Sequence, residues 1–316
     1  MSESLDLSVV DSIKKYYSVG DLDKISLFRS GPDNDIFLVS DSKNSRPRFV
    51  VRVSKRKLDP SDIVFETAWL IQLSQKGIPV PKIVPTNQGD NFYNDGRQIY
   101  TAFEYLAGDQ IKISPDTKPD LAIVREAAKT LAQIHNVSSN SDLNLTKKRN
   151  IFTEVDRILL HQGQFIQKLP QGKFFIETLS SYKNWAKDNL GNNFVLVHND
   201  YRSNNLLFKN GKVLAVLDFD WACLGPAIKD VAHSLVEWSF PDGAQESWQN
   251  VFNTFFDAYN QFANHPINKN ADLFRWIGFV CLSDVATYIA DLAEEGVYQD
   301  ITQSYMYRKF LYFKNF

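Results

Sequence analysis

The stretch from Phe194 to Asp220 constrains the fold of this chain more than any other segment. It opens with an apolar run, Phe194 to Val197, that predicts a buried strand leading into a polar loop. Two more apolar runs follow, Asn205 to Phe208 and Val213 to Leu217, on either side of Asn210-Gly211. Because Asn-Gly supplies the two positive φ angles of a type I′ turn, these runs are predicted to pair as an antiparallel hairpin.

The register of that hairpin predicts a cluster of oxygen ligands. Counting back from the turn places Asn205 opposite Val216, so that Asn205 and Asp218 share one face at roughly 7–8 Å between backbones. Side chains of this kind could converge on a hard cation, with Asp200 from the preceding loop above it. The alternative is a solvated turn in which Asp and Asn side chains bind nearby backbone groups.

The spacing His198-x-Asp200-x4-Asn205, followed after a hairpin by Asp218-Phe219-Asp220, resembles the catalytic loop and metal-binding segment of the aminoglycoside phosphotransferase and choline kinase family. The resemblance implies an α+β, bilobal protein-kinase-like fold, with an antiparallel β-sheet N-lobe and a mainly helical C-lobe. It also implies that Asp200 is the catalytic aspartate, that His198 braces the loop, and that Asn205 and Asp218 hold Mg²⁺ beside ATP.

The N-terminal part of the chain predicts the antiparallel sheet of the N-lobe. Three short β-rich segments, Ile25 to Arg29, Asp35 to Ser40 and Phe49 to Val53, are separated by turn-forming residues. The turn from Ser30 to Asp35 lies where related kinases cover the ATP phosphates, and it lacks the full glycine motif of protein kinases. A plain turn is the alternative for this segment.

A single cation, Arg52, interrupts the third of these strands, and a buried charge needs a partner. Glu66 is the predicted partner, in a helix that begins after the N-cap Asp59 and ends at Gly77. The pair resembles the ion pair that positions ATP phosphates in this fold, although many family members have lysine in place of Arg52. The alternative is an exposed arginine on an edge strand.

The predicted organisation is an N-terminal nucleotide-binding lobe of residues 1–103, a hinge of residues 104–108 and a helical C-terminal lobe of residues 109–316. Glu104 to Leu106 resembles the segment that offers backbone groups to adenine, which makes Glu104 and Leu106 candidate nucleotide-binding residues. Asp220, Trp221 and Glu237 are candidates for binding the acceptor. His233 and Asp284 could face the same pocket.

Composition limits the classes of partner. The formal net charge is −2, with 44% hydrophobic and 23% charged residues, so we expect no general affinity for nucleic acid or an anionic membrane. Two cysteines, Cys223 and Cys281, make a disulfide framework unexpected and favour a cytoplasmic location. No segment has the length and apolar character of a membrane span. We expect a small-molecule hydroxyl acceptor as partner, and a monomer or homodimer.

The hypothesis is an ATP- and Mg²⁺-dependent kinase that phosphorylates a hydroxyl of an aminoglycoside, amino alcohol, homoserine or sugar-like acceptor. The segment Gly77-Ile78-Pro79-Val80-Pro81 is somewhat similar to homoserine kinases of this fold. Two alternatives stay open: a Ser/Thr protein kinase of the same fold, and a nucleotide-binding pseudokinase regulator.

Overall fold

The computed structural model describes residues 7–20, 23–31, 33–41, 43–55, 59–143, 145, 147–240, 248–294 and 300–315. The chain forms two compact units. The first unit comprises Met1–Gly108, Asn144–Lys148 and Leu214–Asp220; the second comprises Asp109–Leu143, Arg149–Val213 and Trp221–Phe316. Two short segments from the C-terminal two thirds of the chain therefore belong to the first unit.

The first unit is built on an antiparallel sheet in the order β1-β2-β3-β6-β4, with β5 paired to β6. Two helices accompany the sheet. The elements are α1 (Leu7–Tyr16), β1 (Asp23–Ser30), β2 (Asn34–Asp41), β3 (Pro47–Ser54), α2 (Pro60–Gln75), β4 (Ile83–Val84), β5 (Tyr93–Asn94) and β6 (Ile99–Glu104).

Strand β3 lies between β2 and β6 and shows how the sheet faces are used. Its apolar residues Phe49, Val51 and Val53 alternate along the strand, share one face and join the core with Val9 and Ile13 of α1. The intervening residue Arg52 therefore projects to the opposite face. Because β3 is central, the interpretation of Arg52 as an exposed edge-strand residue is wrong.

Helix α2 begins and ends at the residues that the sequence predicts. The side chain of Asp59 accepts a hydrogen bond from Ser61 N at 3.0 Å, and Pro60 occupies the first helical position, where a missing N–H has no consequence. Gly77, just after the end, has a φ of +77°, a conformation that an L-residue rarely adopts. The local sequence alone thus sets both ends of the helix that carries Glu66.

The second unit is mainly helical. Helix α3 has buried residues at the helical spacing Val124, Ala127, Ala128, Leu131, and it packs against α8, while α9 packs against α7 and α10. The elements are α3 (Leu121–Ser139), α4 (Thr153–Arg157), α5 (Gly163–Ile166), α6 (Gly172–Asp188), β7 (Phe194–Val197), β8 (Leu206–Lys209), β9 (Lys212–Val216), β10 (Cys223–Pro226), α7 (Ala227–Ser239), α8 (Gln249–Phe262), α9 (Ala271–Glu294) and α10 (Tyr305–Phe313). Strands β7 and β10 form one two-stranded sheet, and β8 and β9 form another.

The predicted hairpin turn is confirmed, because Asn210 and Gly211 both have positive φ angles, +51° and +74°. The prediction that Asn205 belongs to the first hairpin strand is wrong. Asn205 ends a short 3₁₀ helix that begins at Ser203, and β8 starts one residue later. Asp218 lies beyond the end of β9, with a φ of +65°. Strand parity therefore does not fix the directions of these two side chains.

Strand β6 ends at Glu104, and helix α7 begins at Ala227, three residues before Asp230. Within the described part of the chain, no helix has the combined length and apolarity needed to cross a membrane.

Candidate active site

The loop of residues 198–205 is anchored at both ends by regular structure. It leaves β7, whose last residue Val197 pairs with Cys223 of β10, and it enters β8 through the 3₁₀ turn. Asn199 has a φ of +67°, which turns the chain sharply. Its side chain holds that turn, because Nδ2 donates to the carbonyl oxygen of Trp221 at 2.8 Å and Oδ1 accepts from Lys229 Nζ at 2.5 Å.

A buried carboxylate, Asp230, holds the start of this loop. It accepts hydrogen bonds from the backbone N–H groups of His198 at 2.7 Å and Asn199 at 2.9 Å, and it lies 3.2 Å from His135 Nε2. Burial opposes ionisation of Asp230, but the hydrogen bond and charge of His135, with further attraction from His198 and Lys229, lower its pKa well below the ordinary value. Asp230 therefore acts as a charged anchor for the loop backbone.

Asp200 is fixed from two sides within the second unit. Asn205 Nδ2 donates to Asp200 Oδ2 at 2.7 Å and to the Asp200 carbonyl oxygen at 2.9 Å. Arg202 Nε lies 3.1 Å from Asp200 Oδ1, as an ion pair whose N–H is not aligned for a hydrogen bond. The structure thus brings Asp200 and Asn205 together, and it adds Arg202, which the sequence reasoning missed.

His198 is fully buried. Its Nδ1 accepts from the backbone N–H of Asp200 at 3.3 Å, and its ring meets the ring of Tyr201 edge-on at 5.7 Å. A buried ring whose Nδ1 is an acceptor is suited to bracing the loop, the role that the family resemblance implies for it.

In the first unit, Arg52 and Glu66 form a buried fork. Arg52 Nη1 lies 2.8 Å from Glu66 Oε1, and Nη2 lies 2.6 Å from Oε2. Burial disfavours the charged form of Arg52 and would lower its pKa. The charge and hydrogen bonds of Glu66 outweigh burial, with smaller contributions from the charges of Asp220 and Asp218, so the pKa of Arg52 is raised. The fork thus lies within the electrostatic reach of both candidate aspartates of the same unit.

Asp220 is buried in a short 3₁₀ turn that extends from Phe219 to Trp221. Its carbonyl oxygen accepts a hydrogen bond from Lys147 Nζ at 2.5 Å, in the segment Asn144–Lys148 that belongs to the first unit. Lys147 is a further residue that sequence reasoning did not identify. It lies in a connecting stretch without periodicity, so no pattern marks it.

The proposed hinge residues have structural contacts of their own. Glu104 Oε1 accepts from the backbone N–H of Lys82 at 3.0 Å, and the Glu104 N–H donates to the Lys82 carbonyl oxygen at 2.9 Å. The Glu104 side chain therefore supports the β4–β6 pairing. Leu106 follows the end of β6 and is half-buried.

The other two acceptor candidates, Trp221 and Glu237, belong to the second unit and have different partners. The ring of Trp221 lies beneath the Arg149 guanidinium, 3.9 Å from ring centroid to Cζ. Glu237 of α7 is instead bound to Lys309 of α10, with 2.8 Å between Oε1 and Nζ. Burial opposes ionisation of Glu237, but the charge of Lys309 lowers its pKa.

Glu237 belongs to a larger group, which we call the charged cluster: His233, Glu237, Asp284 and Lys309. His233 Nε2 lies 3.1 Å from Asp284 Oδ2 of α9. Burial opposes protonation of His233, but Asp284 and Glu237 outweigh it and raise its pKa above the ordinary value. Sequence reasoning named His233 and Asp284 but missed Lys309. This lysine lies in a helix rich in aromatic residues, α10, and a lysine in such a helix is usually taken to mark the solvent-exposed face.

The residues predicted to hold Mg²⁺ carry oxygen donors, the kind that a hard divalent cation prefers. In the second unit, Asp200 carries carboxylate oxygens, and Asn205 uses Nδ2 to bind Asp200, which leaves its carbonyl Oδ1 as the remaining acceptor of that side chain. In the first unit, Asp218 carries carboxylate oxygens. Sulfur and imidazole ligands, which favour softer metals, are absent from this donor set.

Comparison with known proteins identifies a matching family model and several relatives. A model described as "Phosphotransferase enzyme family" matches residues 24–265. Homoserine kinase of Bartonella tribocorum is 25% identical over 229 residues, covering 72% of this chain and 68% of the relative.

Two solved structures share the fold. The microcompartment-associated aminopropanol kinase has a TM-score of 0.73 at 17% identity, covering 98% of this chain and 97% of the other. An amicoumacin kinase, solved with AMP-PNP, Ca²⁺ and Ami, has a TM-score of 0.72 at 14% identity, covering 99% of this chain and 94% of the other. The predicted α+β, protein-kinase-like fold is confirmed by these neighbours. The chain belongs to the phosphotransferase enzyme family.

Proposed function

We propose that this protein is a kinase that transfers the γ-phosphoryl group of ATP, with Mg²⁺, to a hydroxyl of a small molecule. The observation that carries the proposal is the 198–205 loop. Its Asp200 carboxylate is held by Asn205 and Arg202, and its backbone is held by the buried charge of Asp230. A carboxylate fixed in this way is suited to orient a hydroxyl and take its proton.

In the transfer step, the acceptor oxygen forms a bond to the γ-phosphorus while the bond from that phosphorus to the β,γ-bridging oxygen breaks. ADP leaves, and the hydroxyl proton passes to Asp200. Asn205 and Asp218 are the residues that would hold Mg²⁺, which neutralises charge on the phosphate oxygens when bound. His198 contributes by bracing the loop.

Nucleotide binding is assigned to the first unit. The Arg52–Glu66 fork presents a fixed cation for phosphate oxygens, and its arrangement, two N–H groups on one carboxylate, supports a positioning role in place of the usual lysine. Glu104 and Leu106 offer backbone groups to adenine. Residues 1–103, 104–108 and 109–316 would then serve as nucleotide lobe, hinge and acceptor-binding lobe.

The relatives support a small acceptor. One relative is named a homoserine kinase and one structural neighbour an aminopropanol kinase, and homoserine and aminopropanol are both small alcohols. We propose Asp220, Trp221 and Glu237 as residues near the acceptor, a cytoplasmic location, and a monomer or homodimer.

The test measures ADP release with ATP and Mg²⁺ across amino alcohols, hydroxy amino acids, sugars and aminoglycosides. Asp200→Asn should lower kcat by about 10²–10⁴-fold, the usual contribution of a positioned acid or base, while the Kd for ATP changes little. Asp188→Asn, at the exposed end of α6, is the matched control. Full turnover by the Asp200→Asn enzyme contradicts the proposal.

The two alternatives predict different results in the same assay. A Ser/Thr protein kinase would label protein substrates in preference to every small alcohol. A pseudokinase regulator would bind ATP but would phosphorylate none of the acceptors tested.

A further inference from the structure

Asn199 has a strained backbone conformation immediately before the proposed catalytic residue, Asp200. Its φ is +67°, in the left-handed region that residues with a Cβ seldom adopt, although asparagine enters it more readily than most. Such a conformation persists only where the surroundings over-determine it, and it occurs most often at functional sites. Because the two residues are adjacent, the contacts that hold the Asn199 backbone also limit where the Asp200 carboxylate points.

The side-chain amide of Asn199 is bound through all of its polar atoms. Nδ2 donates to the carbonyl oxygen of Trp221 at 2.8 Å and to Cys223 Sγ at 3.1 Å, while Oδ1 accepts from Lys229 Nζ at 2.5 Å. An amide offers two donor hydrogens on nitrogen and an acceptor on oxygen. Since a cation faces the oxygen and a carbonyl group faces the nitrogen, only one orientation of the amide satisfies both partners. The Asn199 side chain therefore has a fixed direction.

The partner on the oxygen side, Lys229, is a buried lysine. It lies near the start of α7, directly before the loop anchor Asp230, and only 6% of its surface is exposed. Removing an ammonium group from water is costly unless a hydrogen bond and an opposite charge compensate. The Asn199 oxygen supplies the hydrogen bond, and the buried Asp230 carboxylate supplies the opposite charge. Lys229 is thus held between the side chain of the loop and the anchor of the loop backbone.

Asn199 also connects the loop to a proposed acceptor-binding residue, Trp221. The Asn199 amide binds the Trp221 carbonyl oxygen, and the Arg149 guanidinium covers the Trp221 ring at 3.9 Å from the ring centroid. These residues and Asp200 all belong to the second unit. One amide therefore joins the backbone of the acceptor candidate to the backbone beside the candidate catalytic carboxylate.

Two simpler roles would each explain part of this arrangement. Asn199 could merely tolerate the left-handed conformation, but that role needs no side-chain contacts, and glycine would fill it better. Lys229 could merely balance the charge of Asp230, but that role needs no hydrogen bond to Asn199. The three contacts of the Asn199 amide go beyond both roles.

We propose, on the basis of the proposed kinase function, that Asn199 and Lys229 are positioning residues of the transfer reaction. The Lys229 ammonium orients the Asn199 amide, and that amide fixes the Asp200 carboxylate relative to Trp221. Neither side chain touches the reacting atoms. Both act through placement, and a displacement of about 1 Å at a reacting group can lower a rate by about 100-fold.

The first experiment separates the side-chain contacts of Asn199 from its backbone conformation. Asn199→Gly removes the three contacts and also relieves the left-handed strain. With the acceptor that the wild type phosphorylates fastest, kcat should fall by about 10–100-fold while KM for ATP changes less than about 2-fold. Asn210→Gly, the same substitution at an exposed residue with a φ of +51°, is the matched control and should keep wild-type turnover. Wild-type kcat in Asn199→Gly overturns the proposal.

The second experiment is a double-mutant cycle that tests how Lys229 acts. Lys229→Met keeps an unbranched side chain and removes the ammonium group. Alone, it should lower kcat by about 10-fold or more, but added to Asn199→Gly it should change kcat less than about 2-fold, because the contact is already absent. Two effects that multiply would mean that Lys229 acts independently of Asn199, which overturns its assigned role.

Amide hydrogen exchange tests the loop without any turnover. Peptides that cover residues 198–205 should exchange at least about 5-fold faster in Asn199→Gly and in Lys229→Met than in Asn210→Gly. Peptides from α3 should keep the wild-type rate, which shows that the variants are folded. Unchanged exchange in the loop overturns the inference. Faster exchange in α3 as well would show a general loss of stability, and it also overturns a positioning role.

The outcomes separate this inference from the proposed function. Absence of Asp200-dependent turnover with every acceptor overturns the kinase proposal, and the exchange experiment still decides whether Asn199 and Lys229 hold the loop. Asp200-dependent turnover together with wild-type kcat in Asn199→Gly leaves the kinase proposal standing and overturns the inference.

Discussion

Replacement of the buried anchor Asp230 by asparagine tests how the candidate catalytic loop is held. In the wild type, Oδ2 accepts the His198 N–H at 2.7 Å and lies 3.2 Å from His135 Nε2, while Oδ1 accepts the Asn199 N–H at 2.9 Å. Asparagine keeps one oxygen, and its NH₂ group must face at least one of these donors. The variant therefore loses a hydrogen bond and also loses the charge that strengthens the other contacts.

The magnitude follows from those contacts. A buried N–H left without an acceptor costs about 1–3 kcal/mol, and weakening of the remaining charge-assisted bond adds about 1 kcal/mol. We expect Asp230→Asn to lower the free energy of unfolding by about 2–4 kcal/mol, which is a large part of the about 5–15 kcal/mol typical of proteins. The measurement is urea denaturation at pH 7, with Asp257→Asn on the exposed face of α8 as control. The control should stay within about 0.5 kcal/mol of the wild type.

The pH dependence of the stability difference between wild type and Asp230→Asn gives an independent check. Because the pKa of Asp230 is lowered in the folded protein, its stabilisation is present above the unfolded value, about 3.9, and is lost as pH falls through the folded value. The difference between wild type and Asp230→Asn should therefore be constant from about pH 5 to 8 and shrink in stronger acid. A loss below about 1 kcal/mol at pH 7, or a difference that grows in acid, refutes the reasoning.

Three further predictions concern other parts of the structure. Arg52→Met should lower the free energy of unfolding, measured by urea denaturation, by about 3–5 kcal/mol because it leaves the Glu66 carboxylate buried and unpaired. A double variant that adds Glu66→Leu should recover most of that loss. Gly211→Ala should lower stability by about 1 kcal/mol because φ is +74° there, although a Cβ has open space; an effect near zero would count against the turn geometry. The His233–Asp284 pair should stabilise the fold fully below about pH 6.5 and lose that contribution as pH rises through the raised pKa of His233. The difference in free energy of unfolding between wild type and Asp284→Asn should therefore narrow in alkaline buffer. A difference that widens would contradict the assignment.

Short sequence patterns were enough to predict turns, helix ends and the buried face of a strand. The Asn210-Gly211 turn, the N-cap Asp59 and the alternation of Phe49, Val51 and Val53 each specify backbone geometry within a few residues. The pairing of Arg52 with Glu66 was also predictable, because a charge in an apolar strand requires a partner and the following helix offers one.

Boundaries were less predictable where tertiary contacts intervene. Asn205 was expected in the hairpin strand, but it ends a 3₁₀ turn, where its side chain bonds to Asp200 instead of following strand parity. Helix α7 begins at Ala227, since the chain leaves β10 directly into the helix, so that Asp230 lies within the first turns and points to the loop.

The sequence by itself determined the fold class and the group of residues around Asp200, because their spacing along one continuous segment carries that information. Only the tertiary structure decided which distant charged side chains pair with one another. Lys309 of the last helix pairs with Glu237 of α7, and His233 of α7 pairs with Asp284 of α9, through helix packing that no local pattern records. Charge partners separated by dozens of residues are fixed by burial and by packing of whole helices, and this is why these pairs could be identified only in the folded protein.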